Sequence, residues 1–178
     1  MGIDVTTVEL MKRFKPGPKG ASFGYPHFFD KTVDKSHPQR RTRSEHVFSD
    51  LGLPFPDCYD VGQLAGYDIK ILDLNECYEG LPQYDYIINP GTIEHVFNIG
   101  QAVKNTHLML KPGGLAFHHG SINRPRLGYW NTNITMWRAF CDAGNGTLRH
   151  FAEIGRIYYA VYERSDMPFR WPQENNVR

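Results

Sequence analysis

The sequence lacks the features that mark disulfide-rich, structural-zinc, membrane-spanning and secreted proteins. It has only three cysteines in 178 residues and no CxxC pair, so we expect neither a disulfide framework nor a structural zinc site. No run approaches the roughly 18 apolar residues of a membrane span, and the N-terminus lacks the apolar stretch of a signal peptide. We therefore expect reduced thiols, no membrane association and a cytoplasmic localisation.

An excess of charge of one sign is also absent. The formal net charge is +1, so no overall field attracts nucleic acid or acidic membranes. One local basic cluster, HPQRRTR at 37–43, is either a solvated loop or helix start, or a contact for phosphate or nucleic acid. We expect the solvated segment and no nucleic-acid partner.

Helical periodicity is present in four segments. Two of them have an N-cap residue, Asp4 for the first and Asn133 for the last. The predicted helices are VTTVELMKRF, the stretch from Ser44 to Gly52, the stretch from Ile99 to Leu110, and NITMWRAFCDAGN.

Strand patterns alternate with these helices. They occur in ASFGYPHFF, after Pro56, in YDIKILDLNE, in YDYIINP and in LAFHH. LRHFAEI and RIYYAVYE, separated by Gly155, predict a closing antiparallel pair. The alternation predicts an α/β fold with a mostly parallel sheet and helices on both faces.

The most informative stretch is YDYIINPGTIEHVFN at 84–98. Its aromatic and β-branched run meets Pro90 and Gly91 and continues into a helix-like segment that carries Glu94 and His95. Open α/β sheets build ligand crevices in this way, at the carboxyl ends of their strands. LKPGG at 110–114 follows at helix distance and leads into LAFHH.

With DLN at 73–75, these pieces resemble the pattern DLN, GTIEHVFN and LKPGG of a subgroup of class I S-adenosylmethionine-dependent methyltransferases. The resemblance is closest over residues 67–114. It implies a Rossmann-like fold, with a mostly parallel twisted sheet, helices on both faces and a C-terminal antiparallel hairpin. It also implies one methyltransferase-like domain over residues 1–166, a C-terminal tail over 167–178, and S-adenosylmethionine as cofactor.

The resemblance further implies a donor pocket built from glycine turns and carboxylates. The loop that wraps the methionine end is usually glycine-rich, but here it is SFGYP, so Gly24 would serve alone while Tyr25 stiffens the turn. The resemblance also implies that Asp60 contacts the ribose hydroxyls and that Asp73 and Leu74 contact the adenine. The methionine moiety would be contacted by Asn89, Pro90 and Gly91. As an alternative, Asp60 and Asp73 could be ordinary turn carboxylates.

Histidines are the candidates for a general base, because a neutral imidazole has a suitable pKa. His95 would lie near the transfer site, although a structural role is the alternative. His118 and His119 are adjacent on a strand and point to opposite faces, which argues against a two-histidine metal site. We expect His119 to face the substrate. Tyr129 and Trp130 are either an aromatic wall for the acceptor or part of the core.

The resemblance suggests a small-molecule or sugar-type (glycan) acceptor that is methylated on oxygen or nitrogen. The acceptor site would come from the loop between Ser121 and Asn133 or from a partner chain, either a second copy or another subunit. Two rival hypotheses remain. A catalytically degenerate methyltransferase fold could act as a binding or scaffolding subunit, which the thinned glycine loop favours. A nicotinamide-dependent dehydrogenase would need a GxGxxG that opens a helix, and this chain has none.

Overall fold

The computed structural model describes residues 2–29, 41–122 and 128–173. Four α-helices lie in these ranges: α1 (Val5–Phe14), α2 (Glu45–Asp50), α3 (Ile99–Met109) and α4 (Ile134–Phe140). The strands are β1 (Gly2–Asp4), β2 (Gly20–Phe23), β3 (His27–Phe29), β4 (Arg41–Thr42), β5 (Asp57–Asp60), β6 (Lys70–Ile71), β7 (Tyr84–Pro90), β8 (Leu110–Ser121), β9 (Gly146–Ile154) and β10 (Ile157–Arg164).

Seven strands form the main sheet in the order β6-β5-β2-β7-β8-β10-β9. The first five are parallel, whereas β10 runs antiparallel to β8 and β9 antiparallel to β10. This confirms the predicted fold class, including the C-terminal antiparallel hairpin. A small second sheet joins β1, β3 and β4.

Two hydrophobic cores cover the two faces of the sheet. Leu10 and Met11 of α1 and Phe48 of α2 pack on one face, and Val103 of α3 and Trp137 of α4 pack on the other. Strand β7 is central and contributes to both cores, which explains why its sequence is an almost continuous apolar run.

The predicted caps are confirmed at two helix starts. The Asp4 carboxylate accepts a hydrogen bond from the Thr7 backbone N–H at 3.1 Å. The Asn133 side chain accepts one from the Met136 N–H at 3.1 Å. Because these bonds join residues three apart, the local sequence is sufficient to predict them.

Three elements differ from their predicted extent. The strand in YDIKILDLNE is reduced to the two residues of β6, where Ile71 is exposed at the edge of the sheet. The segment after Gly91 contains one 3-10 turn (Ile93–His95) before α3 begins. Helix α3 ends at Met109 because Leu110 already pairs with Tyr84 as the start of β8.

The described part of the tail packs against the end of α4. The Asn145 side-chain amide donates to the Arg170 carbonyl at 2.8 Å and accepts from the Arg170 N–H at 2.8 Å. Phe169 packs against the core beside His107, while Trp171 remains half exposed. Within the described ranges, no helix has the length and apolar composition needed to cross a bilayer.

Candidate functional site

The carboxyl ends of β2, β5 and β7 lie side by side at one edge of the main sheet, and this edge is the candidate ligand crevice. The Gly24 N–H donates to the Tyr59 carbonyl at 2.6 Å, and the Thr92 hydroxyl donates to the Phe23 carbonyl at 2.6 Å. Gly24 and Gly91 have φ values of 81° and 80°, a region that side chains with a Cβ rarely adopt. Glycine turns with positive φ therefore follow β2 and β7.

Asp60 ends β5 beside the Gly24 turn. Its Oδ1 accepts a hydrogen bond from the Val61 N–H at 2.8 Å, and its carbonyl accepts one from the Leu72 N–H at 2.9 Å. The side chain is half-buried. Asp60 is thus held in place by the backbone while part of its carboxylate remains open to solvent.

The DLN segment is fixed by bonds to α3. The Asp73 Oδ1 accepts from the Asn75 N–H at 2.9 Å and from the Asn75 side-chain amide at 2.8 Å. Asn75 in turn accepts from the Asn98 N–H at 2.9 Å, and Asn105 donates to the Leu74 carbonyl at 3.2 Å. Leu74 packs its side chain into the core, so only its backbone can line a crevice.

Asn89 turns its carbonyl oxygen toward the turn that follows β7. This Oδ1 accepts from the N–H groups of Thr92 and Ile93 at 3.0 and 3.1 Å. The side chain is fully buried, and among the described residues its Nδ2 finds no acceptor. An orphaned buried donor at the end of β7 is the kind of group that a bound ligand or water satisfies.

Tyr25 packs in a small core that contains none of the other predicted donor residues. Its ring packs on Tyr67, with ring centroids 4.3 Å apart, and joins Cys58 and Ile69 in a small separate core. Burial is the largest cause of a raised pKa for its phenol. This geometry favours a role for Tyr25 in anchoring the turn rather than in touching the cofactor.

His118 and His119 point to opposite faces, as predicted. His118 packs on Trp137, with centroids 4.4 Å apart, and burial lowers the pKa of His118 to about 3. The His119 Nδ1 lies 3.0 Å from the Thr7 hydroxyl, and its Nε2 lies 2.8 Å from the Gly2 carbonyl oxygen. Both ring nitrogens of His119 therefore bind the N-terminal segment, which favours a structural role over the predicted acceptor role.

Replacement of His119 by phenylalanine tests this structural role. We expect the variant to lose about 1–3 kcal/mol of unfolding free energy, because the Thr7 hydroxyl and the Gly2 carbonyl lose a buried partner. Urea denaturation measures the loss, with substitution of the exposed His46 by phenylalanine as the control. A variant of unchanged stability would contradict this account.

His95 is exposed beside a pair of exposed aromatic side chains. Phe97 and Tyr129 are 74% and 70% exposed and meet edge to face, with centroids 5.9 Å apart. Trp130 is also partly exposed, and its indole N–H donates to the carbonyls of Val96 and Phe97. Tyr129 and Trp130 therefore lie outside the core and line the surface next to His95.

Residues 123–127 of the predicted acceptor loop lie outside the described residues, as do 37–40 of the basic cluster.

Glu94, which the sequence placed in the segment after Gly91 without a site role, is buried here. Its side chain is 3% exposed, and its Oε1 accepts a hydrogen bond from the Ser121 N–H at 3.3 Å. The N–H groups of Tyr129 and Trp130 donate to the Glu94 carbonyl at 2.7 and 3.2 Å. Burial is the largest cause of a raised pKa for its carboxyl. The strand-end position of GTIEH was the available signal, but burial of a turn glutamate depends on distant residues.

The raised pKa makes the stability of the protein depend on pH. A carboxyl whose folded pKa lies above its unfolded value contributes stability that is present below the unfolded pKa and is lost as pH rises through the folded pKa. The Glu94→Gln variant lacks this loss, so we expect its stability relative to wild type to increase from pH 4 to pH 8. Chemical denaturation across this range measures the difference. A stability difference that stays constant across this range would contradict the prediction, and Glu9→Gln, which removes an exposed carboxylate, is the control.

Two comparisons based on sequence find nothing: no protein-family model matches the chain, and no curated protein matches it. A comparison with solved structures finds S-adenosylmethionine-dependent methyltransferases of the class I fold. The 1,6-didemethyltoxoflavin-N1-methyltransferase of Burkholderia thailandensis, solved with 1,6-didemethyltoxoflavin and S-adenosylhomocysteine, aligns with a TM-score of 0.62 and 10% identity over 91% of this chain and 78% of its own.

Two further neighbours have similar scores. An S-adenosylmethionine-dependent methyltransferase from Mesorhizobium loti has a TM-score of 0.60 and 10% identity over 89% of this chain and 96% of its own. An O-methyltransferase family protein from Burkholderia thailandensis has a TM-score of 0.57 and 14% identity over 90% of this chain and 55% of its own. At these identities the comparison establishes a shared fold.

Among the residues described for this chain, no cluster of His, Cys, Asp and Glu forms a metal site.

Proposed function

We propose that the protein is an S-adenosylmethionine-dependent methyltransferase. The observation that carries the proposal is the crevice itself. Gly24, Asp60, Asp73 and Gly91 lie at or just beyond the carboxyl ends of neighbouring parallel strands, in a fold shared with enzymes that use this donor. Ligands of open α/β sheets bind at this edge.

The donor side fits a nucleoside that carries an amino acid. Asp60 offers a half-buried carboxylate that can accept from two hydroxyl groups at once. Gly24 and Gly91 leave room for close approach of a ligand to the backbone. The orphaned Asn89 Nδ2 supplies a buried donor at the end of β7. We assign Asp73 and the backbone of Leu74 to the adenine, and only an anchoring role to Tyr25.

The donor supplies a methyl group that its positive sulfur already activates. The protein must then align the acceptor with that group and exclude water. We propose that His95, which is exposed beside the crevice, takes the proton of an oxygen or nitrogen acceptor. We assign a structural role to His119, because its two ring nitrogens contact the N-terminal segment and so position β1 and α1.

The acceptor surface is the exposed aromatic group of Phe97, Tyr129 and Trp130. Aromatic faces bind planar rings and the apolar faces of sugars, so we propose a small heteroaromatic or sugar-type acceptor. The Burkholderia N1-methyltransferase, which was solved with bound 1,6-didemethyltoxoflavin, is consistent with a small-molecule acceptor. A second copy of the chain or another subunit could complete the surface.

Calorimetric titration with S-adenosylmethionine and S-adenosylhomocysteine tests the proposed function. We expect both ligands to bind with micromolar affinity and to raise the melting temperature, because a ligand that binds only the folded state stabilises it. Absence of binding and of thermal stabilisation by both ligands would contradict the proposal. In that case the fold would have to serve a purpose other than methyl transfer.

A further inference from the structure

The Glu94 carboxyl is buried without a positive partner among the described residues. Its Oε1 accepts a hydrogen bond from the Ser121 N–H, and the backbone N–H of Glu94 itself also acts to lower the pKa of the carboxyl. Its Oε2 has no partner in the described part of the chain. An ionised carboxylate in such a place is costly unless a positive charge or several hydrogen-bond donors stabilise it. The described residues therefore do not supply the positive charge or the further hydrogen-bond donors that would stabilise an ionised Glu94.

The carboxyl lies where the ends of β7 and β8 meet. A Cβ placed on Gly91 would be 3.5 Å from the Glu94 Oε1, so the carboxyl group abuts the glycine turn that follows β7. A Cβ on Gly120 would be 2.6 Å from the same oxygen, so only glycine leaves room for it beside β8. Glycine at both positions allows the carboxyl to reach the strand ends that form the crevice.

The groups around Glu94 that favour its charged form, His95 among them, do not offset burial, which raises the pKa of its carboxyl. From β8 it meets the backbone of Gly120 and Ser121. From β10 it faces the Tyr158 phenol, whose pKa its charge helps to raise. Its neighbour His95 is exposed on the same turn. A role as a turn cap is insufficient to explain a carboxylate here, because a glutamine could accept the Ser121 bond equally well.

We propose that the Glu94 carboxylate is the counter-charge for the positive sulfonium of the donor, so that the site binds the cationic donor in preference to its neutral product. The proposal rests on the proposed function, which brings a cation to the strand end that Gly91 lines. The charge of the bound donor would satisfy the buried carboxylate. Transfer of the methyl group removes the charge from sulfur, and the neutral product then loses this attraction and dissociates more readily.

Calorimetric titration of wild type and Glu94→Gln with both ligands at pH 8 tests this preference. The amide has the size of the carboxyl and can still accept the Ser121 bond. We expect the affinity for S-adenosylmethionine to fall roughly tenfold, as for the loss of one close charge pair at a partly solvated site. The affinity for S-adenosylhomocysteine should change less than twofold.

Two further variants complete the test. Glu94→Asp keeps the charge and should retain part of the preference, whereas Glu9→Gln removes an exposed charge on α1 and should leave both affinities unchanged. If Glu94→Gln loses affinity equally for both ligands, or for neither, the assignment of Glu94 is overturned while the proposed function stands. If the wild-type protein binds neither ligand, both the assignment of Glu94 and the proposed function are overturned. Sinefungin, in which a carbon that bears a protonated amine replaces the methylated sulfur, should lose affinity in Glu94→Gln as S-adenosylmethionine does.

Discussion

Replacement of Asp60 by alanine is expected to weaken the binding of S-adenosylmethionine and of S-adenosylhomocysteine by roughly 10- to 150-fold. The estimate corresponds to about 1.5–3 kcal/mol for a hydrogen bond to a charged group. Asp60 is half-buried at the end of β5, where its backbone carbonyl bonds to Leu72 and its Oδ1 accepts from Val61. Both ligands should lose affinity equally, because they share the ribose and differ only at sulfur.

This equal loss separates Asp60 from Glu94, whose substitution should affect only the cationic ligand. Calorimetric titration of Asp60→Ala measures the loss, and Asp166→Ala, which removes an exposed carboxylate after β10, is the matched control. Unfolding curves establish that the variant folds. Wild-type affinity in a folded Asp60→Ala protein would show that the ribose lies elsewhere.

Replacement of Trp137 by alanine should be the most destabilising single change considered for this protein. The side chain of Trp137 is fully buried on the α3 and α4 face, where it packs on His118, Phe140 and Tyr158. Truncation of a buried tryptophan costs about 3–5 kcal/mol. For a domain of this size that loss lowers Tm by about 6–20 °C.

The control for this substitution is Trp171→Ala, because Trp171 is 50% exposed in the tail. Differential scanning calorimetry of both variants gives the comparison. We expect a clearly smaller decrease for Trp171→Ala, since partly exposed side chains contribute less burial. Equal decreases for the two variants would mean that α4 does not provide the core that the structure assigns to it.

Local rules were sufficient for the parts of the fold that depend on neighbouring residues. The caps at Asp4 and Asn133 were predictable because each side chain bonds to an N–H three residues away. The opposite orientation of His118 and His119 follows from strand geometry alone. Which of these faces is open to a ligand does not follow, because the N-terminal segment covers the face of His119.

The sequence motifs were recognisable, whereas their physical basis was not. The side chain of Asn75 in DLN accepts a hydrogen bond from the Asn98 N–H in EHVFN. The Lys111 side chain in LKPGG forms an ion pair with Asp85, the second residue of β7. The two pairs join residues that are 23 and 26 positions apart in the sequence. The bond between Asn75 and Asn98 lies near the crevice, whereas the pair of Lys111 and Asp85 lies at the opposite ends of the strands. The burial of Glu94 was likewise hidden, because it depends on Gly120 of β8 and on the backbone of Tyr129.

An NMR titration of isotope-labelled protein with S-adenosylhomocysteine is the most direct test of where the donor binds. We expect the largest amide shifts at Gly24, Val61, Asn75 and Gly91, whose N–H groups report on the crevice. A cavity of about 340 Å³ lies at the opposite ends of the strands, lined in part by Gly17 and Gly114. Shifts confined to that cavity, or no shifts at all, would contradict a donor pocket at the carboxyl ends of β2, β5 and β7.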